Sequence, residues 1–175
     1  MPNLNVEIKA ICNNASFVRN YLVNHGAVFK GEDEQTDTYF EVHAGRLKLR
    51  EGNIENNLIF YDRTNQAGQK SSHFHLVKIE DAKGLKEALE RSCGIKMIVR
   101  KLRNIYYIDN VKFHIDDVPG LGSFIEIEAG NILADKTEAE LLDQCNFYLK
   151  ELGIQEEDLI AESYSELLMK VNDTI

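Results

Sequence analysis

The sequence has no run of about 18 apolar residues, so it offers no transmembrane helix. It enters a strand-like segment almost at once, without the pattern of a secretory leader. Cysteine is scarce: Cys12, Cys93 and Cys145 are odd in number, far apart and form no CxxC pair. They read as reduced, mostly buried residues of a cytoplasmic protein. Basic charge is also short. Twenty Lys and Arg stand against 29 Asp and Glu, a formal net charge of −9, which excludes general nucleic-acid binding. An anionic small molecule stays open as a partner if the basic residues cluster. No internal repeat, low-complexity tract or linker interrupts the chain. Its 175 residues suffice for one full core, and a single domain over 1–175 is expected. Gly120-Leu-Gly122 lacks the strand, Gly-rich loop and helix of a phosphate loop and reads as a hairpin turn.

What is present is mostly alternating strands. Leu4–Ala10 places Leu4, Val6, Ile8 and Ala10 on one face and Asn5, Glu7 and Lys9 on the other. Asn13, Asn14 and Ser16 offer N-caps for a helix that stops at Gly26. Ala27–Lys30 is a short strand, the acidic Gly31–Gln35 reads as a loop, and Thr36–Val42 is a strand. Gly45–Glu51, Leu58–Arg63 and Ser71–Ile79 follow as strands, then a helix over Asp81–Cys93 ended by Gly94. Ile95–Asn104 is a strand, and Ile105–Asn110 continues it or turns. Val111–Glu128 is a hairpin about Pro119–Gly122. A capped helix runs from Thr137 to Gly153, and a short one covers Ser163–Val171.

Several of these strands carry an aliphatic face opposite a face of one charge. Lys48 and Arg50 share a side, as do Lys101 and Arg103; Glu126 shares a side with Glu128. Two carboxylates at i and i+2 lie roughly 7 Å apart. Their repulsion at an effective dielectric near 20 is roughly 2 kcal/mol. Water or cations must offset it. Solvated sheets usually mix signs across strands, so single-sign strands point to a cavity with a basic wall opposite an acidic one and aliphatic faces outward under helices. Closing about eight antiparallel strands into a barrel puts the charge inside. Arg and Lys suit phosphate oxygens, and Glu and Asp suit hard cations that bind the same oxygens. The fold class is therefore α+β, an eight-stranded antiparallel β-barrel with helices outside, built round a metal–polyphosphate site. Removing Arg50 or Arg103 is expected to weaken anion binding while sparing the fold.

The residues then resemble a known family, the CYTH or triphosphate tunnel metalloenzymes, and within it the branch of class IV adenylyl cyclases. The matching segments run in order over most of the chain: Asn5-Val-Glu-Ile-Lys-Ala, Asp37-Thr-Tyr-Phe, Gly45-Arg-Leu-Lys-Leu-Arg-Glu-Gly-Asn, Leu58-Ile-Phe-Tyr-Asp-Arg, Gln66-Ala-Gly-Gln-Lys-Ser, Val99-Arg-Lys-Leu-Arg, Leu121-Gly-Ser-Phe-Ile-Glu-Ile-Glu and Tyr164-Ser-Glu-Leu-Leu. The resemblance implies a tunnel that binds a triphosphate with Mg²⁺ or Mn²⁺. It implies Glu7, Glu126, Glu128 and Asp116 as metal ligands, and Lys9, Lys48, Arg50, Arg63, Lys101 and Arg103 as the phosphate-binding wall, with Lys70 as a weaker candidate. Lys9 and Asp116 are the candidate catalytic residues. Asn5 departs from the family's Glu-x-Glu-x-Lys pattern, which puts the second metal in question.

The reaction implied is ATP to cyclic AMP and pyrophosphate. The alternatives are an inorganic or thiamine triphosphatase and a non-catalytic polyphosphate- or nucleotide-binding module. The partner is a small triphosphate (ATP, tripolyphosphate or thiamine triphosphate), with no nucleic acid and no membrane, and the family admits a homodimer. Tyr39, Phe40 and Tyr61 are candidates for stacking on a base, although strand aromatics are more often core. His73 and His75 read as surface residues, and His114 shares a face with Asp116.

Overall fold

A computed structural model describes residues 3–62 and 65–173. Eight strands, β1 (Asn3–Ile11), β2 (Val28–Phe40), β3 (Arg46–Glu51), β4 (Asn57–Asp62), β5 (Lys70–Lys78), β6 (Ile95–Ile108), β7 (Val111–Val118) and β8 (Gly122–Gly130), close into a barrel in the order β1-β5-β4-β3-β2-β6-β7-β8. Every pairing is antiparallel. Four helices lie outside: α1 (Ala15–Asn24), α2 (Ala82–Cys93), α3 (Glu138–Glu151) and α4 (Tyr164–Asn172). The α+β barrel expected from alternation is the fold observed. No helix among the described residues is long and apolar enough to cross a membrane.

The main core lies between the barrel's outer surface and two helices. Val6, Ile8 and Ala10 of β1, Phe113 and Ile115 of β7, and Ile125 and Ile127 of β8 pack against Val18 and Leu22 of α1 and Leu141 and Cys145 of α3. Each fully buried aliphatic side chain there contributes about 1.5–3 kcal/mol. The helix starts are set locally. Asn14 caps α1, Asp81 caps α2, and Thr137 with Glu140 and Ser163 with Glu166 form reciprocal capping boxes on α3 and α4. The expectation that helices cover the aliphatic faces holds for this half of the barrel. On the other half α2 buries none of its residues, and Phe60 and Val77 remain exposed.

One segment departs from the sequence reading. Gly31–Gln35 is not a loop: β2 runs unbroken through it, paired with β6 from Val28 opposite Tyr107 to Phe40 opposite Ile95. A register shift between Phe29 and Gly31, where Gly31 has φ +131°, bends the strand without ending it. Within it Asp33 is fully buried and accepts hydrogen bonds from Gln35 and from the backbone of Ile54 and Glu55. Strand pairing and these tertiary partners override local polarity. The uncertain Ile105–Asn110 resolves as the end of β6 through Ile108 and a turn, with Asp109 at φ +50°.

Candidate active site

Inward-facing side chains enclose a cavity of about 130 Å³. Alternation places Lys9 on β1, Lys48 and Arg50 on β3, Lys101 and Arg103 on β6 and Lys112 on β7 around it, with the carboxylates of Glu7, Glu126 and Glu128. The register aligns them. Glu7 lies opposite Glu128, Lys9 opposite Glu126, and His114 opposite Glu126 on the other side. The β4–β5 wall is different: Asn57, Ile59, Tyr61, Ser72, Phe74 and Leu76 line it without a charge. In the closed order basic β3 lies across the barrel from acidic β8, and the uncharged β4–β5 wall is a third side that single strands did not show.

The cations are held by buried carboxylates that single-strand patterns did not show. Asp37, fully buried on β2 between the two basic strands, is the hub. It accepts from Arg50 Nε at 2.8 Å and Nη2 at 2.9 Å, from Lys48 Nζ at 3.0 Å and from Lys101 Nζ at 2.9 Å. Burial pushes the Asp37 carboxyl up, but Arg50, Lys101 and Lys48 outweigh it and hold the group well below the carboxylate range. Arg103 is bound in the same two-pronged way by Asp116, at 2.7 and 2.6 Å, and reaches Glu126 at 2.9 Å. Tyr164 at the start of α4 donates to Asp116 at 2.7 Å and lies beneath Lys9, whose Nζ is 4.1 Å from the ring centre. Lys9 also sits 3.4 Å from Glu126 and donates to the Glu162 carbonyl at 3.3 Å. Burial lowers Lys101 to about 7 despite Asp37, with Arg103, Arg50 and Lys48 adding repulsion. Burial, then Arg103 and Lys112, lowers His114 to about 3, so its ring is neutral; its Nδ1 lies 3.1 Å from Glu126 and its Nε2 is buried without a partner.

The sequence-expected residues divide accordingly. Lys9, Lys48, Arg50, Lys101, Arg103, Glu7, Glu126 and Glu128 line one cavity. Asp116 is fully buried behind Arg103, with both carboxylate oxygens engaged. Arg63 lies outside the described residues. Lys70 does not line the cavity; its ammonium donates to the carbonyls of Ile160 and Ala161 and fastens the segment before α4 to the barrel. Tyr39 and Tyr61 line the cavity, whereas Phe40 is buried away from it. His73 and His75 are exposed on the outer surface. The residues missed were Asp37, Glu55, Lys112 and Tyr164. Asp37 had a signal, since two basic strands need a buried counter-charge, and Lys112 shares the parity of His114. Glu55 sits in a turn and Tyr164 at a helix start, where no period marks the inward side.

The donor set on β1 and β8 fits a hard divalent cation. Glu7 and Glu128 are directly opposed like charges. Burial raises the Glu128 carboxyl, and Glu7, Glu126 and Glu55 raise it further, with Lys112 opposing. A cation relieves that repulsion, and oxygen-only ligands suit Mg²⁺, which keeps water and phosphate oxygens in its shell. Asn5 donates its amide hydrogen to Glu128. Among the described residues, no three His, Cys, Asp or Glu side chains are gathered into a closed metal cluster.

Comparison with known proteins bears on these residues. The CYTH domain matches residues 3–164. A Methanocaldococcus jannaschii protein, "Putative adenylate cyclase MJ0240", is 36% identical over 94 residues, 52% of this chain and 52% of that protein. The matched stretch thus spans about half the length of this curated relative. The PH1012 protein of Pyrococcus horikoshii superposes with a TM-score of 0.77 at 25% identity, covering 93% of this chain and 98% of that one. A Hippeastrum protein, HpAC1, described as a "putative adenylyl cyclase" with "a dominant triphosphatase activity", has a TM-score of 0.63 at 14% identity over 98% of this chain and 96% of its own, a likeness of fold alone.

Proposed function

This chain belongs to the CYTH domain family, and on that premise we propose that it is a metal-dependent enzyme acting on a triphosphate in the barrel, converting ATP to cyclic AMP and pyrophosphate. The observation that carries this reading is the convergence of six cations, Lys9, Lys48, Arg50, Lys101, Arg103 and Lys112, on one cavity that also holds an opposed pair of carboxylates. Asp37 and Asp116 fix the guanidinium planes of Arg50 and Arg103 before any ligand arrives, so little reorganisation is needed when charge develops on phosphate oxygens. Glu7 and Glu128, with Glu126 beside them, would hold Mg²⁺ or Mn²⁺, which when bound supplies Lewis-acid charge to the phosphate.

In this reading Asp116 is a positioning residue for Arg103 and not a metal ligand. Lys9, packed between Glu126 and Tyr164, neutralises phosphate charge. Lys101, held down to about 7 before a ligand arrives, takes up a proton as phosphate charge enters and joins the neutralising wall. The uncharged wall of Ile59, Tyr61 and Phe74 favours a substrate with an organic part over a purely inorganic chain.

Hydrolysis is the second reading, favoured by the activity described for the Hippeastrum protein of the same fold. The test is a product assay with ATP, tripolyphosphate and thiamine triphosphate, each with Mg²⁺ and with Mn²⁺. Cyclic AMP with pyrophosphate is expected. Orthophosphate without cyclic nucleotide establishes a triphosphatase, and binding without any product establishes a non-catalytic module.

A further inference from the structure

A carboxylate outside the opposed pair sits at one end of the cavity. Glu55, in the turn between β3 and β4, points inward and accepts from Arg50 Nη1 at 2.9 Å, from Gln35 Nε2 at 3.1 Å and from Lys112. Arg50 is thereby held by two carboxylates, Asp37 on one edge and Glu55 on the other. Burial pushes Glu55 up, but Lys112 and Arg50 outweigh it and keep it ionised.

The turn that carries it is fixed from below. The backbone N–H groups of Ile54 and Glu55 donate to the buried Asp33 at 2.8 and 3.1 Å. Asn53 bridges to the β2 backbone at Glu32 and Glu34. A Cβ on Gly52 would fall 2.6 Å from an Asp33 oxygen, so the close approach requires glycine. The charge is thus built in place.

Glu55 also lines a wider cleft of about 690 Å³ that shares Asn5, Asn57, Leu76, Lys112 and Glu128 with the cavity and forms its open mouth. Past Glu55 that mouth is flanked by Ile54, Ile79, Ile132 and Leu133, and its remaining charges, Lys78 and Glu80, are opposite in sign. The other end is crossed by the segment leading into α4, bonded to Lys9 and Lys70.

We propose that Glu55 is a fixed charge stop that limits the phosphate chain to what the cations inside it can hold, so that a further phosphoryl group is rejected at this mouth. This rests on the polyphosphate reading above. A phosphoryl group beyond the stop meets the carboxylates of Glu55 and Glu80 and apolar side chains, with Lys78 the cation past Lys112 among the described lining residues, and like charges so placed disfavour binding.

The test is calorimetry of the full chain with Mg²⁺ and linear tripolyphosphate or tetrapolyphosphate. The wild-type protein is expected to bind tripolyphosphate more tightly, and Glu55→Gln to bring tetrapolyphosphate to parity, a gain of roughly tenfold for the longer chain. The Gln retains an acceptor for Arg50, and the turn stays anchored through Asp33. An equal gain for both chains overturns the proposal, because it shows general charge relief without length selection. Wild-type binding of tetrapolyphosphate as tightly as tripolyphosphate overturns it without any variant. Wild-type binding of neither chain removes the polyphosphate reading itself, an outcome distinct from the loss of length selection alone.

Discussion

Replacing Asp37 by Asn removes one charge and leaves three cations facing each other. Asp37 is fully buried, Arg50 and Lys101 are nearly so, and Lys48 is mostly covered. Breaking a buried charge cluster by deleting one partner costs about 3–5 kcal/mol, because the remaining charges lose their partner without regaining water. For a chain of this size that is a fall in Tm of about 6–20 °C.

The loss depends on pH through Lys101. Its folded pKa of about 7 lies below its ordinary 10.5, so between these values the folded state binds fewer protons than the unfolded state. Its contribution to stability therefore rises with pH across that window. In Asp37→Asn the ammonium has lost its main support and is shed more readily, so destabilisation is expected to be larger at pH 6 than at pH 9. Tripolyphosphate should then restore more stability to the variant than to the wild-type protein, since the ligand takes over the counter-charge. The assay is thermal unfolding followed by circular dichroism at both pH values, with and without tripolyphosphate. A loss below about 1 kcal/mol at pH 6, the range of an exposed ion pair, would refute the assignment of Asp37 as the hub.

Arg103→Ala is expected to destabilise the fold by about 3–5 kcal/mol, because Asp116 is left buried without its two-pronged partner; denaturant melts check it. The sequence-based expectation that this substitution spares the fold is thereby reversed. Glu128→Gln should leave the metal-free protein equally or more stable, since a raised carboxyl pKa marks a charge that folding disfavours, and should weaken Mg²⁺ binding about tenfold or more, read from the Mg²⁺ dependence of Tm. Triphosphate binding at pH 8 should take up a proton, because added negative charge returns Lys101 to its ammonium form. Calorimetry in two buffers of different ionisation enthalpy reads the uptake, and Lys101→Met should abolish it.

Alternation alone determined much of this protein. A period of two in Leu4–Ala10, Gly45–Glu51 and the Val111–Glu128 hairpin separated outward aliphatic side chains from inward charge, and local caps at Asn14, Asp81, Thr137 and Ser163 marked the helix starts. Those features are local, set by backbone geometry and neighbours within a few positions, and so are legible in one strand at a time. They sufficed to assemble the set Lys9, Lys48, Arg50, Lys101, Arg103, Glu7, Glu126 and Glu128.

Which carboxylate serves which cation was decided only by barrel closure. Closure set β2 between β3 and β6, which brought Asp37 to Arg50, Lys48 and Lys101 across separations of 11 to 64 residues. It also set Asp116 against Arg103 with two hydrogen bonds, and brought Glu55 from a turn into the mouth. Charge pairing inside a low-dielectric cavity depends on distances of a few ångströms between strands. Those distances are properties of register and topology, which no single strand carries.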